Sequence, residues 1–561
     1  MTVAVWVSMH PVTYWSLGAL VWLALIAFSA LCAPGSSRMG DRRNQFVFAG
    51  LSIAAFMVNR WPILFDPATL NADEAQMAAQ AIKSLSDPLP WHGFDGTTSG
   101  PLNSYILALP RVFGRPITMP STHVIAAGLE LGTIFALQSA AAKVFGAPIG
   151  RAAALMLFAF FGFAQNTNDF VDYSSEHLPI FLIVCGLCAL ADVYAKSRPN
   201  LASCALGGIA LGLAPFAKLQ STLLAVSVGT GIVLVLLRRS APPATKGRRF
   251  ASFLAGALGS VALLVALTGL GGSIHDAVVS YVLSNAAYSQ RLALLGPRFF
   301  ISTDPMYATF VLGSISLFVL LGSAAIWSPA NPYYQRIAAF AGGLTLVGIW
   351  TVRLANHAFA HYLSFAIVPS VVLVAALAGI VYRDWRSRIR RIWPGRRKGG
   401  LIARAMLFAS VAATMIVPSL LQQLVLGNSF AHDGPAYFGY RDRMGAALRH
   451  IIPVNSRVAV WGWMPQFYVS TQTVMATKDA HTYAEIVPGP YRDYFRARYM
   501  NEMLSRPPAY FVDAVAPGSF AFTDRAAYGM ETFPQLAAFI ARDYRLVAEL
   551  NGVRVYCRKA S

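Results

Sequence analysis

Two adjacent carboxylates, Asp73 and Glu74, stand between strongly apolar parts of the chain, near the start of the stretch NADEAQMAAQAIKSLSDPLPWHGFDGTTSGPLNSYILALP, residues 71–110. Carboxylates beside a bilayer are costly to keep and are effective acid–base catalysts. A second acidic group, Asp169, Asp172 and Glu176, lies in the stretch NDFVDYSSEHLP. These residue types suit either proton transfer or the binding of cations, and the elements that position them decide which.

The composition indicates an integral membrane protein. Of the 561 residues, 56% are hydrophobic and 12% are charged, and the mean hydropathy is +0.51. A helix needs about 20 consecutive apolar residues to span the hydrocarbon core of a bilayer. We therefore predict a polytopic α-helical membrane protein with about twelve spans, over residues 14–33, 45–63, 121–142, 152–168, 178–195, 200–217, 219–237, 250–271, 305–327, 336–352, 363–382 and 402–420.

The arginines and lysines predict the orientation. They cluster in alternate connections: Arg38, Arg42 and Arg43; Lys143 and Arg151; Lys196 and Arg198; Arg238, Arg239, Lys246, Arg248 and Arg249; and the segment 383–400. Such loops face the cytoplasm, which places Asp73 and the chain after about residue 421 outside, in the periplasm of a bacterium. The predicted location is therefore the bacterial inner membrane. Topology accounts for much of the net charge of +20, so this charge does not indicate nucleic-acid binding, although it could hold anionic lipid headgroups.

We divide the chain into a membrane domain, residues 1–420, whose first external loop covers 64–120, and a small α/β domain, residues 421–561. In the second part, β-prone runs alternate with helical patterns. The predicted strands are Arg457–Trp461, Tyr510–Val515 and Tyr544–Leu550, and the predicted helices are Pro490–Leu504 and Phe533–Tyr544. Asn551-Gly552 predicts a tight hairpin turn. Of the five cysteines, Cys557 alone falls in the exported part, which excludes a disulfide framework.

Asp73 and Glu74 admit two interpretations. Asn71 can cap a helix that carries both residues in its first turn, where acidic side chains gain roughly 0.3–1 kcal/mol from the helix dipole. That role would be structural. The same helix places Met77, Ala78, Ala81, Ile82 and Leu85 on one side, as expected of a helix lying at the membrane surface. Such a helix would hold both carboxylates at the level of the lipid headgroups.

Several motifs, in order, resemble those of the GT-C glycosyltransferases, in particular the bacterial relatives of protein O-mannosyltransferases and lipid A aminoarabinose transferases. The first loop has the acidic pair, then Gly100-Pro101-Leu102 and Tyr105, and an external domain ends the chain. Asp169, Asp172 and Glu176 resemble the acidic second external loop. Lys218 in PFAKLQS resembles the lysine that follows a membrane helix, and RLANHAFAHYLSFAIVP, which begins at Arg353, resembles a late basic motif.

This resemblance implies the inverting transfer of a sugar from a polyprenyl phosphate to an envelope glycan or glycolipid. Asp73 matches the base that takes the acceptor's proton, and Glu74 would orient Asp73 or the acceptor. Cations would stabilise the leaving lipid phosphate. The candidates are Lys218, Arg353, His361 with Tyr362, and, in the loop before the ninth span, Arg291 and Arg298. Each of these side chains could instead be an anchor at the membrane surface.

Two further groups stay open at this point. His92 could contact the sugar or acceptor, but it lies in a Pro/Gly-rich loop where turn and capping roles are common. Asp169, Asp172 and Glu176 could together attract a divalent cation, and the sequence predicts no other metal or cofactor. The aminoarabinose transferases carry a lysine before a Pro-Pro pair, where this chain has Ser99-Gly100-Pro101, so that phosphate contact would have to come from elsewhere.

Two other classes of function remain. A transporter or flippase of lipid-linked saccharides would also have about twelve spans, but it should place charged residues inside them and show paired half-repeats with broken helices. We identify neither pattern in the sequence. A non-catalytic subunit of an envelope-assembly complex is the third class, and the acidic pair argues against it.

Overall fold

The computed structural model describes residues 6, 10–32, 38–65, 67, 69–163, 171–196, 200–238, 242–289, 305–328, 332–354, 359–392, 396–426 and 444–560. A helical membrane domain is followed by a small domain built on one sheet. The helices up to the second external loop are α1 Pro11–Leu31, α2 Arg38–Leu64, α3 Ala72–Ser84, α4 Pro101–Leu107, α5 Leu109–Val112, α6 Met119–Phe145 and α7 Ala147–Phe163. Helices α3 to α5 lie within the first predicted external loop.

The second part of the membrane domain continues the bundle. Its helices are α8 His177–Ala195, α9 Leu201–Ala217, α10 Thr222–Arg238, α11 Pro243–Leu270, α12 Ile274–Asp276, α13 Ser284–Ser289, α14 Pro305–Ile326, α15 Pro332–Leu354, α16 Ser364–Ile392, α17 Arg396–Val411 and α18 Val417–Leu426. Short 3-10 or π segments cover Leu219–Ser221, Ala277–Leu283, Ala360–Leu363 and Ala412–Ile416. Each of the twelve predicted spans overlaps one of these helices over its described residues.

The predicted class of polytopic helical membrane protein is confirmed, but the count of about twelve spans is not. Among the described residues, eight helical segments are long and apolar enough to cross a membrane, and three further apolar helices, Ala147–Gly162, Leu201–Ala217 and Leu312–Ile326, are shorter. A helix of 17 residues such as α9 extends about 25 Å at 1.5 Å per residue, close to the lower limit for a span.

Helices α9 and α11 pack unusually closely. Gly208 and Gly212 lie one turn apart on α9, and a Cβ atom at either position would clash with the backbone of α11. Small residues at this spacing allow two membrane helices to approach until their backbones touch. The close contact sets the position of α9, and Lys218 forms the C-cap of this helix.

Helix α3 begins where the sequence predicts, because the Asn71 side chain accepts a hydrogen bond from the backbone N–H of Asp73 at 3.0 Å. The helix is buried on nearly every side, so its apolar residues pack against protein, and its predicted level at the membrane surface stays a prediction. Its apolar residues Met77, Ala78 and Ala81 pack into a cluster with α4, α6 and the second external loop, and Ala79 packs into the core of the C-terminal domain. Helix α3 therefore lies between the two domains.

The C-terminal domain is built on a five-stranded mixed sheet of order β2-β1-β3-β5-β4. Its strands are β1 Arg457–Trp461, β2 Val474–Met475, β3 Tyr510–Asp513, β4 Tyr544–Leu550 and β5 Val553–Arg558. Its helices are a segment over residues 444–451, α19 Gln466–Thr471, α20 Tyr483–Ile486, α21 Arg492–Ser505, α22 Arg525–Tyr528 and α23 Pro534–Asp543. The three predicted strands, the two predicted helices and the small α/β class are confirmed.

Alternation along the strands gives this sheet two apolar faces. In β1, Val458 and Val460 belong to one buried cluster, and Ala459 and Trp461 belong to the other. Successive side chains of a strand point to opposite faces, so both faces must be covered. β1 pairs in parallel with β2 and β3, whereas β5 pairs antiparallel with β3 and β4. The predicted hairpin turn joins β4 to β5, and Asn551 and Gly552 have φ values of 47° and 83°.

A buried ionic cluster attaches this domain to the first loop. Arg498 of α21 donates to Asp95 of the loop at 2.7 Å and to both oxygens of Asp479 at 2.7 and 2.8 Å. The backbone N–H of Asp95 donates to the carbonyl of Lys478 at 2.9 Å, and the ammonium of Lys478 pairs with Asp276 at 2.6 Å. This ionic cluster thus joins the C-terminal domain to two separate connections of the membrane domain.

Burial shifts the acids of this cluster toward their protonated forms. It raises the pKa of Asp479 to about 6, although Arg498 acts in the opposite direction. It also raises the pKa of Glu502, which accepts a hydrogen bond from the backbone of Lys478, to about 7. The folded protein therefore binds protons more tightly at these groups than the unfolded chain does.

This difference predicts how stability depends on pH. Between pH 4.5, the ordinary pKa of Glu502, and its raised pKa of about 7, the folded state holds a proton that the unfolded state loses, so stability falls as pH rises through this window. Glu502→Gln imitates the protonated side chain. We expect variant and wild type to unfold at similar temperatures at pH 5, and the variant to be the more stable at pH 8. Tryptophan-monitored melting in detergent measures this, and a constant difference across the range would contradict it.

Candidate active site

The first loop, two later connections and the C-terminal domain enclose a cavity of about 260 Å³. Its lining comes from four parts of the chain: Leu70, Asn71, Ala72, Asp73, Gln76, Thr97 and Thr98; Ser280, Ser284, Asn285, Ala287 and Tyr288; Phe359, His361 and Tyr362; and, from the C-terminal domain, residues that include Trp463, Asp479, His481 and Tyr483. Three predicted site residues, Asp73, His361 and Tyr362, thus share one cavity.

Asp73 enters the cavity from the first turn of α3 and is partly exposed. The capping bond from Asn71 fixes the backbone at this point. Burial is the main cause that raises the pKa of the Tyr288 phenol, and Tyr483 and the Asp73 carboxylate act in the same direction. Asp73 therefore lies at a capped helix end and contributes to the lining of the cavity.

Glu74 faces the opposite way. It is fully buried and accepts hydrogen bonds from the Thr122 hydroxyl at 2.5 Å and the Tyr173 backbone N–H at 3.0 Å, with His123 Nε2 3.2 Å away. It is absent from the described lining of the cavity. Neighbouring residues of a helix are about 100° apart, so the acidic pair divides between two sides. The Glu74 carboxylate thus joins α3 to α6 and the second loop, and its predicted role of orienting Asp73 or the acceptor stays a prediction.

Two glutamines continue the cavity side of α3. Gln76 donates to the carbonyl of Gly96 at 3.0 Å and contacts His481 of the C-terminal domain at 2.9 Å. One turn later, Gln80 donates to the carbonyl of Asp95 at 2.8 Å. Burial lowers the pKa of His481 to about 3, so its imidazole is neutral at physiological pH. This row of polar contacts holds the first loop and the C-terminal domain around Asp73.

A buried ion pair lies directly behind His361 and Tyr362. The ammonium of Lys218 is 3.0 Å from Glu176, donates to the Ser175 hydroxyl at 2.7 Å and lies 5.2 Å from the centre of the Tyr362 ring. His361 Nε2 is 3.9 Å from the same carboxylate. Burial would raise the pKa of Glu176, but Lys218 and His361 lower it to about 2. The structure therefore brings together four of the predicted residues, Glu176, Lys218, His361 and Tyr362, in one polar cluster.

The Gly100-Pro101 motif reaches the same place. The backbone N–H of Gly100 donates to the carbonyl of Ala217 at 2.8 Å, and a Cβ atom at Gly100 would clash with the carbonyl of Phe216. Asn103 also donates to the carbonyl of Ala217, at 2.7 Å, and accepts from the hydroxyl of Tyr173 at 2.9 Å. The motif thus fastens the first loop to the end of α9, next to Lys218.

A second buried ion pair lies inside the predicted spans and was missed in the sequence. Arg60 of α2 donates to both oxygens of Glu130 of α6 at 2.6 and 2.7 Å, and both side chains are at most 2% exposed. His177 Nε2 lies 3.2 Å from Glu130, while its Nδ1 accepts from the backbone N–H of Ser174. Ser174 in turn donates to Glu176. Arg60 and Glu130 lie within apolar runs of the sequence, and their pairing could have signalled a buried contact.

The remaining predicted residues do not join the cavity. Arg353 is exposed at the end of α15, and His92 is exposed and contacts Asp87 at 3.0 Å; neither belongs to the lining. Asp172 is buried and lies within electrostatic range of Arg60. Arg291, Arg298 and Asp169 lie outside the described residues. The described part of the chain contains no group of three or more metal-ligating side chains that could hold an ion. The cation considered for the second loop stays a prediction, because Asp169 is not described.

Aromatic residues of the C-terminal domain form a wall that the sequence analysis did not identify. Trp463 stacks on His481 with ring centres 4.4 Å apart and meets Tyr483 at 5.3 Å and Phe520 at 4.9 Å. All four side chains line the cavity. Trp463 follows β1 by two residues, and the end of a parallel strand is a frequent position for ligand-binding residues. The position of Trp463 just after a predicted strand is the sequence feature that could have identified it as a site residue.

Comparison with protein-family models finds no match, and comparison with curated proteins also finds none. Among solved structures, the crystal structure of ArnT from Cupriavidus metallidurans bound to undecaprenyl phosphate is similar with a TM-score of 0.53 and 14% identity, over 92% of this chain and 98% of that chain. The apo structure of the same protein gives 0.53 and 16%, over 91% and 98%. At this identity the likeness shows the fold alone, and it confirms the fold predicted from the sequence.

The Lys218–Glu176 pair generates a stability prediction. Lys218→Met leaves the Glu176 carboxylate buried without its ammonium, and removing one partner of a buried pair typically costs about 3–5 kcal/mol. We expect a markedly lower melting temperature in detergent. The double variant Lys218→Met, Glu176→Gln removes both charges and should recover most of the loss.

Arg353→Met is the matched control for this experiment, because it removes an exposed cation at a helix end and should leave the melting temperature unchanged. A Lys218→Met protein as stable as the wild type would show that the two side chains are not paired.

Proposed function

We propose that this chain, which has the GT-C fold of membrane glycosyltransferases, moves a sugar from a polyprenyl phosphate to a glycan or glycolipid of the bacterial cell envelope, on the periplasmic face of the inner membrane. The observation that carries the proposal is the shared cavity of Asp73, His361 and Tyr362, with the Lys218–Glu176 pair behind it. The cavity thus has a carboxylate on one side and, on another, the His361 imidazole with the Lys218 ammonium behind it.

Asp73 acts as the general base. The acceptor hydroxyl gives its proton to the Asp73 carboxylate while its oxygen forms a bond to the anomeric carbon of the donor. The bond from that carbon to the phosphate oxygen breaks, and its electron pair leaves with the lipid phosphate. Attack from the side opposite the phosphate inverts the configuration. Asp73 suits this role because it is partly exposed to the cavity, whereas Glu74 faces away and acts as a positioning residue.

The leaving phosphate gains negative charge where little water is present, so nearby cations matter more than in bulk solvent. His361 lines the cavity, and Lys218 lies against the other side of Tyr362. Lys218 is 4% exposed. A phosphate that approached it would compete with Glu176 for the ammonium, and we infer that donor binding loosens this pair. Arg353 and His92 have no part in the proposal, because neither lines the cavity.

The aromatic wall supports a saccharide as acceptor. A sugar ring has an apolar face of C–H groups and a rim of hydroxyls. Trp463, Tyr483 and Phe520 offer broad ring faces, and Gln76, Asn285 and Thr98 offer polar groups at the same cavity. A few placed polar groups within an aromatic lining are typical of sites that bind and orient such ligands. The C-terminal domain would therefore hold the acceptor and the membrane domain the donor.

Transport of a lipid-linked saccharide is not favoured by the buried charges. Arg60, Glu130 and His177 do lie inside the bundle, as a transporter would require, but Arg60 and His177 both pair with Glu130, and none of the three lines the described cavity. Their contacts lead through Ser174 to Glu176, which is consistent with holding the second external loop in place.

Asp73→Asn tests the base. The variant keeps the size and hydrogen-bonding shape of the side chain but cannot take a proton, and loss of a general base typically slows chemistry by roughly 100- to 10,000-fold. We expect transfer to be lost with melting temperature unchanged. The measurement uses membranes with equal amounts of each protein, a panel of radiolabelled undecaprenyl-phosphate monosaccharides and an envelope fraction as acceptor.

Asp87→Asn is the matched control, since Asp87 lies in the same loop and contacts the exposed His92. It should retain wild-type transfer. Activity of Asp73→Asn within a few-fold of wild type would remove Asp73 as the base. If Glu74→Gln alone were folded and inactive, the role would pass to Glu74.

Trp463→Ala tests the acceptor wall. Loss of its ring contacts should raise the KM for the acceptor by roughly 10-fold, while kcat changes little. Trp327→Ala, which removes a tryptophan that is 82% exposed, should leave both constants unchanged. An unaltered KM in Trp463→Ala, or an equal rise in both variants, would show that this wall does not hold the acceptor.

A further inference from the structure

A second cavity, of about 440 Å³, lies at the basic end of the bundle, where helices α6, α8, α10, α15 and α16 meet. Its walls are almost entirely apolar and include Leu187, Leu234, Phe340 and Val372. The described residues of this lining include Arg238 and Arg336 but no aspartate or glutamate. Over the part of the chain that the structure describes, the cavity is thus an apolar space with positive charge at its edge.

The arginines lie at the helix ends. Arg238 is the last residue of α10, and Arg336 lies in the second turn of α15. Both side chains are exposed, and within the described part of the chain neither forms an ion pair. Lys143 and Lys196, at the ends of α6 and α8, differ because both pair with Asp192, at 2.9 and 3.2 Å. The cations beside the cavity therefore lack the carboxylate that neutralises their neighbours.

Tyrosines also line this cavity. Tyr194 and Tyr333 pack with ring centres 4.9 Å apart, and both contribute to the lining. Tyrosines and arginines together are typical of the zone where lipid headgroups meet the hydrocarbon core. The positive-inside rule assigns this basic end to the cytoplasmic leaflet, which places the cavity on the face opposite to that proposed for catalysis.

We propose that this cavity binds an anionic glycerophospholipid of the cytoplasmic leaflet, with its phosphodiester on Arg238 and Arg336 and an acyl chain between the apolar walls. Guanidinium groups match phosphate oxygens in charge and geometry. The complementarity requires a ligand that is both anionic and long-chained, which a zwitterionic lipid supplies less well and a soluble phosphate does not supply. The site is separate from the proposed transferase site and does not depend on the proposed function.

The test uses purified full-length protein in detergent, with dioleoyl phosphatidylglycerol and dioleoyl phosphatidylcholine as probes that share their chains and differ in net charge. Native mass spectrometry measures bound lipid, and melting measures the stabilisation on lipid addition. We expect phosphatidylglycerol to bind and stabilise the wild type more than phosphatidylcholine does. In the double variant Arg238→Gln, Arg336→Gln, the affinity for phosphatidylglycerol should fall roughly 30-fold, because two cations near the anionic headgroup are lost.

The control is Arg248→Gln, Arg386→Gln, which removes the same charge from exposed positions outside the cavity lining. It should bind phosphatidylglycerol as the wild type does. Equal loss of binding in both double variants would overturn the proposal by showing attraction to the basic face in general. Equal binding of the two lipids would also overturn the proposal. Displacement of phosphatidylglycerol by an equal concentration of undecaprenyl phosphate would overturn it too, because the cavity would then bind a polyprenyl lipid.

Discussion

Much of the packing in this protein follows from the free-energy cost of removing an ionised carboxylate from water. Glu74, Glu130 and Glu176 are each at most 1% exposed, and an ionised carboxylate in such surroundings is tolerated only when it is paired and hydrogen-bonded. Each therefore gathers partners from other parts of the chain. Glu176 draws in Lys218 and His361, Glu130 draws in Arg60 and His177, and Glu74 draws in Thr122, His123 and the backbone of Tyr173.

These three groups are connected through the short stretch of residues 173–177. His177 contacts Glu130 on one side and accepts from the backbone of Ser174 on the other. Ser174 donates to Glu176, and the next residue before it, Tyr173, donates to Glu74. A short stretch of chain thus meets all three carboxylates. A change in one pair is therefore expected to alter the geometry of the other two, because neighbouring residues of one stretch contact all three carboxylates.

Helix α3 has a different task on each side. Glu74 fastens it to the membrane bundle, whereas Asp73, Gln76 and Gln80 face the cavity and the first loop. The C-terminal domain closes the remaining side through His481 and through the Arg498 cluster with Asp95 and Asp479. A catalytic carboxylate on so firmly held a helix would need little reorganisation when substrate binds, which is the condition for efficient acid–base chemistry.

The sequence by itself determined the features that depend on local pattern. Apolar runs located the helices, Asn71 marked the start of α3, β-prone runs located β1, β3 and β4, and Asn551-Gly552 marked the hairpin, because each follows from the composition or turn chemistry of neighbouring residues. Motif order and the sidedness of the loops were enough for the fold. The tertiary structure alone decided the surroundings of each acidic side chain, the cavity for Asp73 and a buried polar cluster for Glu74. It also decided that Arg60 pairs with Glu130, that Arg353 and His92 lie apart, and that Trp463 reaches the cavity, because contacts between residues far apart in the chain follow from packing and leave no local pattern.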